Sequence, residues 1–183
     1  WAFHHSAGPP KSSSRAIYQA NINRGLGGMA YHFLAYCYRS GSRIYRKLRL
    51  ARNPLQWGAH VKGQNEKWIG YCWVGTYHDH VPDDELLAAQ AEMLRITRRI
   101  THEWLGTDVT PAKAHNEILG LNYTQCPDGG LWFRDRFIPL LEGNGKGVEP
   151  PADGEDDYIR GWNDALAQVV AMLSRELEKL RRE

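Results

Sequence analysis

The chain has 183 residues, 42% hydrophobic and 24% charged, with a formal net charge of +2. That length and apolar content suit one domain with a sizeable core and room for an appendage. The small charge argues against a nucleic-acid binder, which would carry a strong basic patch.

In chain order, residues 1–5 are predicted to form a short strand. Gly8-Pro9-Pro10 and Ser12-Ser13-Ser14 make a loop, and its last serine is placed to cap a helix over about residues 15–24, stopped by Gly25 and Gly27-Gly28. Residues 30–38, rich in aromatics, read as a strand. Ser40-Gly41-Ser42 turns the chain, and residues 43–48 return as a hairpin partner. Residues 68–75 read as another buried strand, followed by a polar loop with His78 and His80. Pro82-Asp83-Asp84-Glu85 is a helix start, with carboxylates on the positive end of the helix dipole. Leu86, Leu87, Gln90, Met93, Leu94 and Ile100 keep helical spacing to about residue 105, where Gly106 stops it. Residues 111–115 read as a short strand, and 131–142 as a last helix or turn packed by Leu131, Trp132, Phe133 and Phe137. Alternating strands and helices with one antiparallel hairpin predict an α/β fold, a mixed central sheet flanked by helices.

Residues 1–142 are read as the folded domain and 143–157, rich in Gly, Pro and acid, as a linker. Residues 158–183 are read as an amphipathic helix with Ile159, Trp162, Leu166, Val169, Leu173, Leu177 and Leu180 on one stripe. That stripe has three possible uses: packing back on the domain, pairing with a second copy as a homodimer, or binding a wall or membrane surface. No run of 18 apolar residues is present, so no transmembrane segment is expected. No signal peptide is visible in a chain that starts at Trp1 rather than Met. Seven Trp and nine Tyr are divided in this reading between the core and a groove where sugars could stack.

Three residues stand out as metal ligands: His4, then His115 after 111 residues, then Cys126 after 11 more. Two imidazoles and a thiolate suit one zinc ion, and three protein ligands leave a fourth position for water, the pattern of a hydrolytic site. On a strand, adjacent side chains point to opposite faces, so only one of His4 and His5 is expected to reach the metal. Cys37 and Cys72, in apolar runs, are expected as buried thiols. His78 and His80 are a conceivable second metal pair, but are expected to face solvent, as is His102.

The residues around these ligands carry a resemblance. Phe-His-His-Ser-Ala (3–7), Ala-Tyr-His-Phe (30–33), Trp-Gly-Ala-His-Val-Lys-Gly-Gln-Asn (57–65), Ile-Gly-Tyr-Cys-Trp-Val-Gly (69–75), Ala-His-Asn-Glu-Ile (114–118) and Thr-Gln-Cys-Pro (124–127) follow one another in the order seen in a known family. The chain resembles zinc-dependent N-acetylmuramoyl-L-alanine amidases of the phage endolysin type, in the superfamily that includes peptidoglycan recognition proteins. The resemblance runs from residue 1 to about 130 and does not cover roughly 145–183.

What the resemblance implies is specific. It implies a mixed sheet of about five or six strands with zinc in a groove at one edge, and His4 rather than His5 as the first ligand. Tyr31 matches the family's catalytic tyrosine. Thr124 stands where phage enzymes often carry Lys and where recognition proteins with amidase activity carry Thr. His60, Asn65, Trp57 and Lys62 fall in the segment that contacts glycopeptide. The implied activity is hydrolysis of the amide between N-acetylmuramic acid and L-alanine of the stem peptide, by a lysin at a host cell wall or by a secreted protein if residues precede Trp1. Two other classes stand beside it: a module that binds peptidoglycan without cutting it, and a regulatory protein that binds another protein through its C-terminal helix.

Overall fold

The computed structural model describes residues 1–106 and 111–143. Five strands form one mixed sheet: β1 (Ala2–His5), β2 (Phe33–Ser40), β3 (Arg43–Leu50), β4 (Gly70–Trp73) and β5 (Lys113–Ala114). Their spatial order is β3-β2-β4-β1-β5. Only the β2–β3 hairpin is antiparallel, turned by Gly41-Ser42 with Ser40 opposite Arg43 and Gly41 at φ 63°. The other pairs are parallel, with His4 beside Cys72 and Phe3 beside both Tyr71 and Ala114.

The period-two alternation along β1 divides its four residues between two faces. Phe3 belongs to the larger core with Tyr71, Trp73, Phe33, Trp132, Phe133 and Phe137, where its ring centroid lies 4.8 Å from that of Phe137. Burying a side chain of that size contributes about 2–3 kcal/mol. Helix α2 (Asp84–Leu105) covers this face through Leu87, Met93 and Leu94. Asp83 caps it by accepting the Leu86 amide at 2.9 Å, and Gly106 ends it at φ 60°. The two indoles buried deepest do not leave their N–H groups unpaired: Trp73 donates to the Cys37 carbonyl at 2.8 Å and Trp132 to the Tyr77 carbonyl at 3.0 Å.

The opposite face is smaller. Leu34, Tyr36, Cys72 and Val74 pack there against Ile17 of α1 (Ser14–Asn23). Cys37 and Cys72 are both fully buried thiols, as expected. Helix α1 is capped by Ser13, one residue before the expected serine, because the Ser13 hydroxyl is the one that reaches the Ala16 amide.

Three expectations are corrected. The second strand begins at Phe33, not at residue 30, so Tyr31 stands in a loop. The last strand is two residues long, and His115 opens a short helix, α3 (His115–Leu119), because Glu117 reaches back to accept the Ala114 amide at 2.8 Å. Residues 133–142 form a π-helical turn (Phe133–Phe137) leading into α4 (Ile138–Glu142), with Trp132, Phe133 and Phe137 buried but Leu131 half exposed. The linker from residue 144 onward and the C-terminal helix lie outside the described residues. No helix among the described residues is long and apolar enough to cross a membrane.

Candidate metal centre

The parallel register that sets Phe3 beside Ala114 carries the next residues, His4 and His115, together where β1 and β5 end. Their ring centroids are 4.4 Å apart. Cys126 arrives from a loop that the Asn116 amide ties down by donating to the Cys126 carbonyl at 2.8 Å. One ligand atom from each of His4, His115 and Cys126 lies within 4.8 Å of the others. His4 turns Nδ1 toward Cys126 Sγ at 3.7 Å. Nε2 of His115 is buried with no hydrogen-bond partner, an arrangement that costs about 1–3 kcal/mol unless something accepts its lone pair or takes its proton. An orphaned imidazole nitrogen, a second imidazole and a thiol at this spacing fit a zinc ion.

The electrostatics suit that use. Burial holds His4 well below the usual imidazole range, with His60 and His115 adding to the effect, and holds His115 down at about 4, so both rings are neutral and able to coordinate at pH 7. Burial pushes the Cys126 thiol up to about 12 when no cation is near. One group already favours the thiolate: the His5 amide donates to Sγ at 3.3 Å. His5 itself turns its ring away, and Nδ1 accepts the Tyr77 amide at 3.1 Å, so the alternation along β1 separates the two histidines as expected.

The other predicted residues fall in different places. Tyr31 packs its ring 5.2 Å from that of His4, and burial raises its phenol well above its ordinary value, with the Cys72 and Cys126 thiols adding to the rise. It is therefore a hydroxyl donor throughout the physiological range. Thr124 accepts the Cys126 amide at 3.2 Å through its hydroxyl oxygen, which leaves the hydroxyl proton for another partner. Both line a cleft of about 620 Å³ over the three ligands.

His60 is buried behind His4, and its Nδ1 lies 3.1 Å from His4 Nε2. With Nδ1 of His4 committed to a metal, Nε2 carries the proton and donates to His60. A Cβ built on Gly58 would run into the His60 ring, and one on Gly70 would come within 2.6 Å of it, so two glycines make the room for this histidine. Asn65 spends its side-chain oxygen inside the same loop, accepting the His60 and Val61 amides at 2.8 Å each. Trp57 is 68% exposed and does not line the cleft. Lys62 is exposed, with its ammonium 6.0 Å from the Tyr123 ring centroid at the cleft margin.

Sequence reasoning missed several participants. His32 is buried beside His60, accepting the Gly70 amide at 2.7 Å while Nε2 donates to the Gln56 carbonyl at 2.8 Å. Arg24, Leu26 and Tyr123 line the cleft. His78, expected in solvent, is half-buried with its ring 5.2 Å from His5, because the Gly129 turn backs onto its carbonyl. His80 is exposed and bonded to Asp79 at 2.7 Å, and His102 is exposed as expected. His32 sits in the Ala-Tyr-His-Phe (30–33) stretch and Tyr123 precedes Thr124, so both had a local signal, whereas Arg24 and Leu26 reach the cleft from just past α1 with no local pattern to mark them.

No family model and no curated protein matches the chain. Solved structures do. Drosophila PGRP-LB superposes with a TM-score of 0.51 at 20% identity, over 79% of this chain and 83% of that one. The fold is that of the peptidoglycan recognition proteins. Drosophila PGRP-SD is similar at TM-score 0.49 and 18% identity, over 69% of this chain and 72% of that one. The N-acetylmuramoyl-L-alanine amidase LysC from Clostridium intestinale is similar at TM-score 0.49 and 23% identity, over 69% of this chain and 74% of that one. At these identities the likeness speaks for the fold alone, and any assignment of chemistry rests on the cleft itself.

Proposed function

We propose that this protein is a zinc-dependent peptidoglycan amidase that hydrolyses the bond between N-acetylmuramic acid and the first L-alanine of the stem peptide. The observation that carries this reading is the convergence of His4, His115 and Cys126 within 4.8 Å on the floor of a cleft that also holds Tyr31. Zinc, when bound, supplies Lewis acidity toward the amide carbonyl and lowers the pKa of a water toward about 7.

The chain's own groups do the rest. His4 Nδ1, His115 Nε2 and the Cys126 thiolate would hold the cation, and His60 would fix the His4 ring by accepting from its Nε2. The Tyr31 phenol, kept protonated by burial, donates to the oxygen that gains negative charge as the carbonyl becomes tetrahedral. Thr124 offers its free hydroxyl proton to the same region. In this reading Lys62, whose ammonium lies 6.0 Å from the Tyr123 ring, would meet carboxylates of a glycopeptide and Tyr123 its apolar faces.

A module that binds peptidoglycan without cutting it needs neither three converging metal-ligand side chains nor a half-buried phenol beside them. The test is to incubate purified peptidoglycan with the protein and quantify newly exposed L-alanine amino termini, with and without a chelator. Zinc-dependent release is the expected result. Binding to peptidoglycan with no release at any zinc concentration would sink the enzymatic reading.

A further inference from the structure

The net charge of +2 conceals a segregation. Residues 1–65 contain ten Lys and Arg and no Asp or Glu, the first acid being Glu66. Two of these cations find later carboxylates: Arg39 pairs with Asp83 and Glu85, and Arg46 with Glu92, both on the α2 side of the sheet. On the α1 side the pattern differs. Arg15, Arg49 and Arg52 line a second cleft of about 590 Å³ between α1 and the end of β3, and no carboxylate lines it. None of the three pairs with a carboxylate among the described residues. Arg49 donates to the Ser14 hydroxyl at 2.6 Å, and Arg52 donates to the Met29 carbonyl at 2.8 Å while its Nε is buried without a partner. Neutral oxygens thus orient two guanidiniums without discharging them.

We infer that this cleft binds a phosphodiester polymer without bases, of the polyol-phosphate kind. Guanidinium forks suit phosphate oxygens, and three of them beside one another without a counter-ion repel unless an anion joins them. The positive surface continues beyond the cleft. Arg49, Lys47 and Arg43 alternate along β3 with residues that face α2, and their register opposite Leu34, Tyr36 and Ser40 sets them on the α1 side. A chain of phosphates has a path there that one small anion does not need.

Single-stranded nucleic acid requires aromatic platforms interleaved with the charge. Tyr18 is the one aromatic ring lining the cleft, and the rings nearest the stripe are already engaged, Tyr38 stacked on Tyr45 at 4.9 Å and covered by Lys11 at 5.3 Å. Position adds a consequence. Helix α1 lies between the two clefts, with Arg15 and Tyr18 in this one, while Arg24, just past its end, lines the metal cleft. Ten residues of helix span about 15 Å. A polymer held here is close enough to retain the metal site on the same surface, and the binding itself does not depend on the amide-cleaving reading.

The experiment is a titration of the full chain with purified poly(glycerol phosphate), and with an oligo-dT of equal charge, by fluorescence anisotropy at several salt concentrations. Poly(glycerol phosphate) is expected to bind more tightly than oligo-dT. Arg15→Gln/Arg49→Gln/Arg52→Gln is expected to weaken it about tenfold or more and to lower the salt slope by roughly one to two. Because Arg52 also holds the Met29 loop, Arg15→Gln/Arg49→Gln is measured beside it and is expected to show most of the loss. Arg99→Gln/Lys113→Gln/Arg136→Gln removes equal charge elsewhere and is expected to change affinity less than threefold. Equal losses in both triple variants, tighter binding of oligo-dT, or no binding of poly(glycerol phosphate) would each overturn the inference. Zinc content and release of L-alanine amino termini from soluble muropeptides, read in the same variants, separate this outcome from failure of the amidase reading.

Discussion

His60 Nδ1 lies 3.1 Å from His4 Nε2, so the orientation of the His4 ring depends on it. His60→Ala is expected to weaken zinc binding about 10–100-fold, measured by chelator competition, since groups that orient a ligand contribute on that scale. Cys126→Ser is expected to lose stoichiometric zinc altogether. Tyr31→Phe keeps the ring and removes the donor. Its expected signature is a fall in kcat of roughly 10²-fold or more with zinc content unchanged, and a normal kcat would return Tyr31 to a packing role. The pH dependence of zinc binding follows from the same three ligands. The imidazoles are neutral at pH 7, while burial leaves the Cys126 thiol protonated, up at about 12, until a cation arrives. Binding therefore displaces about one proton, from sulfur, and zinc affinity rises with pH, about tenfold per unit near neutrality. Calorimetry in two buffers of different ionisation enthalpy reads that proton directly, and a count near zero would mean that the thiol is already ionised.

At the scale of elements, the ligands are delivered by pieces too short to be stable alone. Helix α3 has five residues and β5 has two. What holds them is Asp128, which is buried and accepts from Asn116 Nδ2 at 2.7 Å and from the amides of Gly130, Trp132 and Phe133. Asp128→Ala strands four donors, and the expected cost is about 3 kcal/mol or more of stability in a denaturant melt, with zinc affinity falling as the Cys126 loop loosens. The longer elements were legible in the sequence for local reasons. The Asp83 cap and the Gly106 stop bound α2, and the Ser40-Gly41-Ser42 turn announced the hairpin. Tyr31 read as a strand residue because aromatic runs resemble strands, yet its backbone lies before Phe33, where the chain is still crossing toward the sheet. His115 read as a strand residue for want of any local sign that Glu117 would turn the chain.

For the whole molecule, the described residues already contain the His4, His115 and Cys126 cluster, both clefts and both cores. We propose that truncation near Glu149 leaves a chain that binds one zinc ion and cleaves soluble muropeptides, while light scattering on the long and short chains shows whether residues 158–183 pair two copies. Loss of all zinc on truncation would place that segment inside the catalytic fold. Sequence alone determined the residue types able to hold a metal, their order, and most strand and helix positions, because caps, turns and alternation act within a few residues. Only the tertiary structure decided that His115 lies beside His4, that His60 serves His4 across 56 positions, and that three arginines share a cleft without a carboxylate. Those outcomes come from strand register and from which loops fill which space, and no short window of sequence contains either.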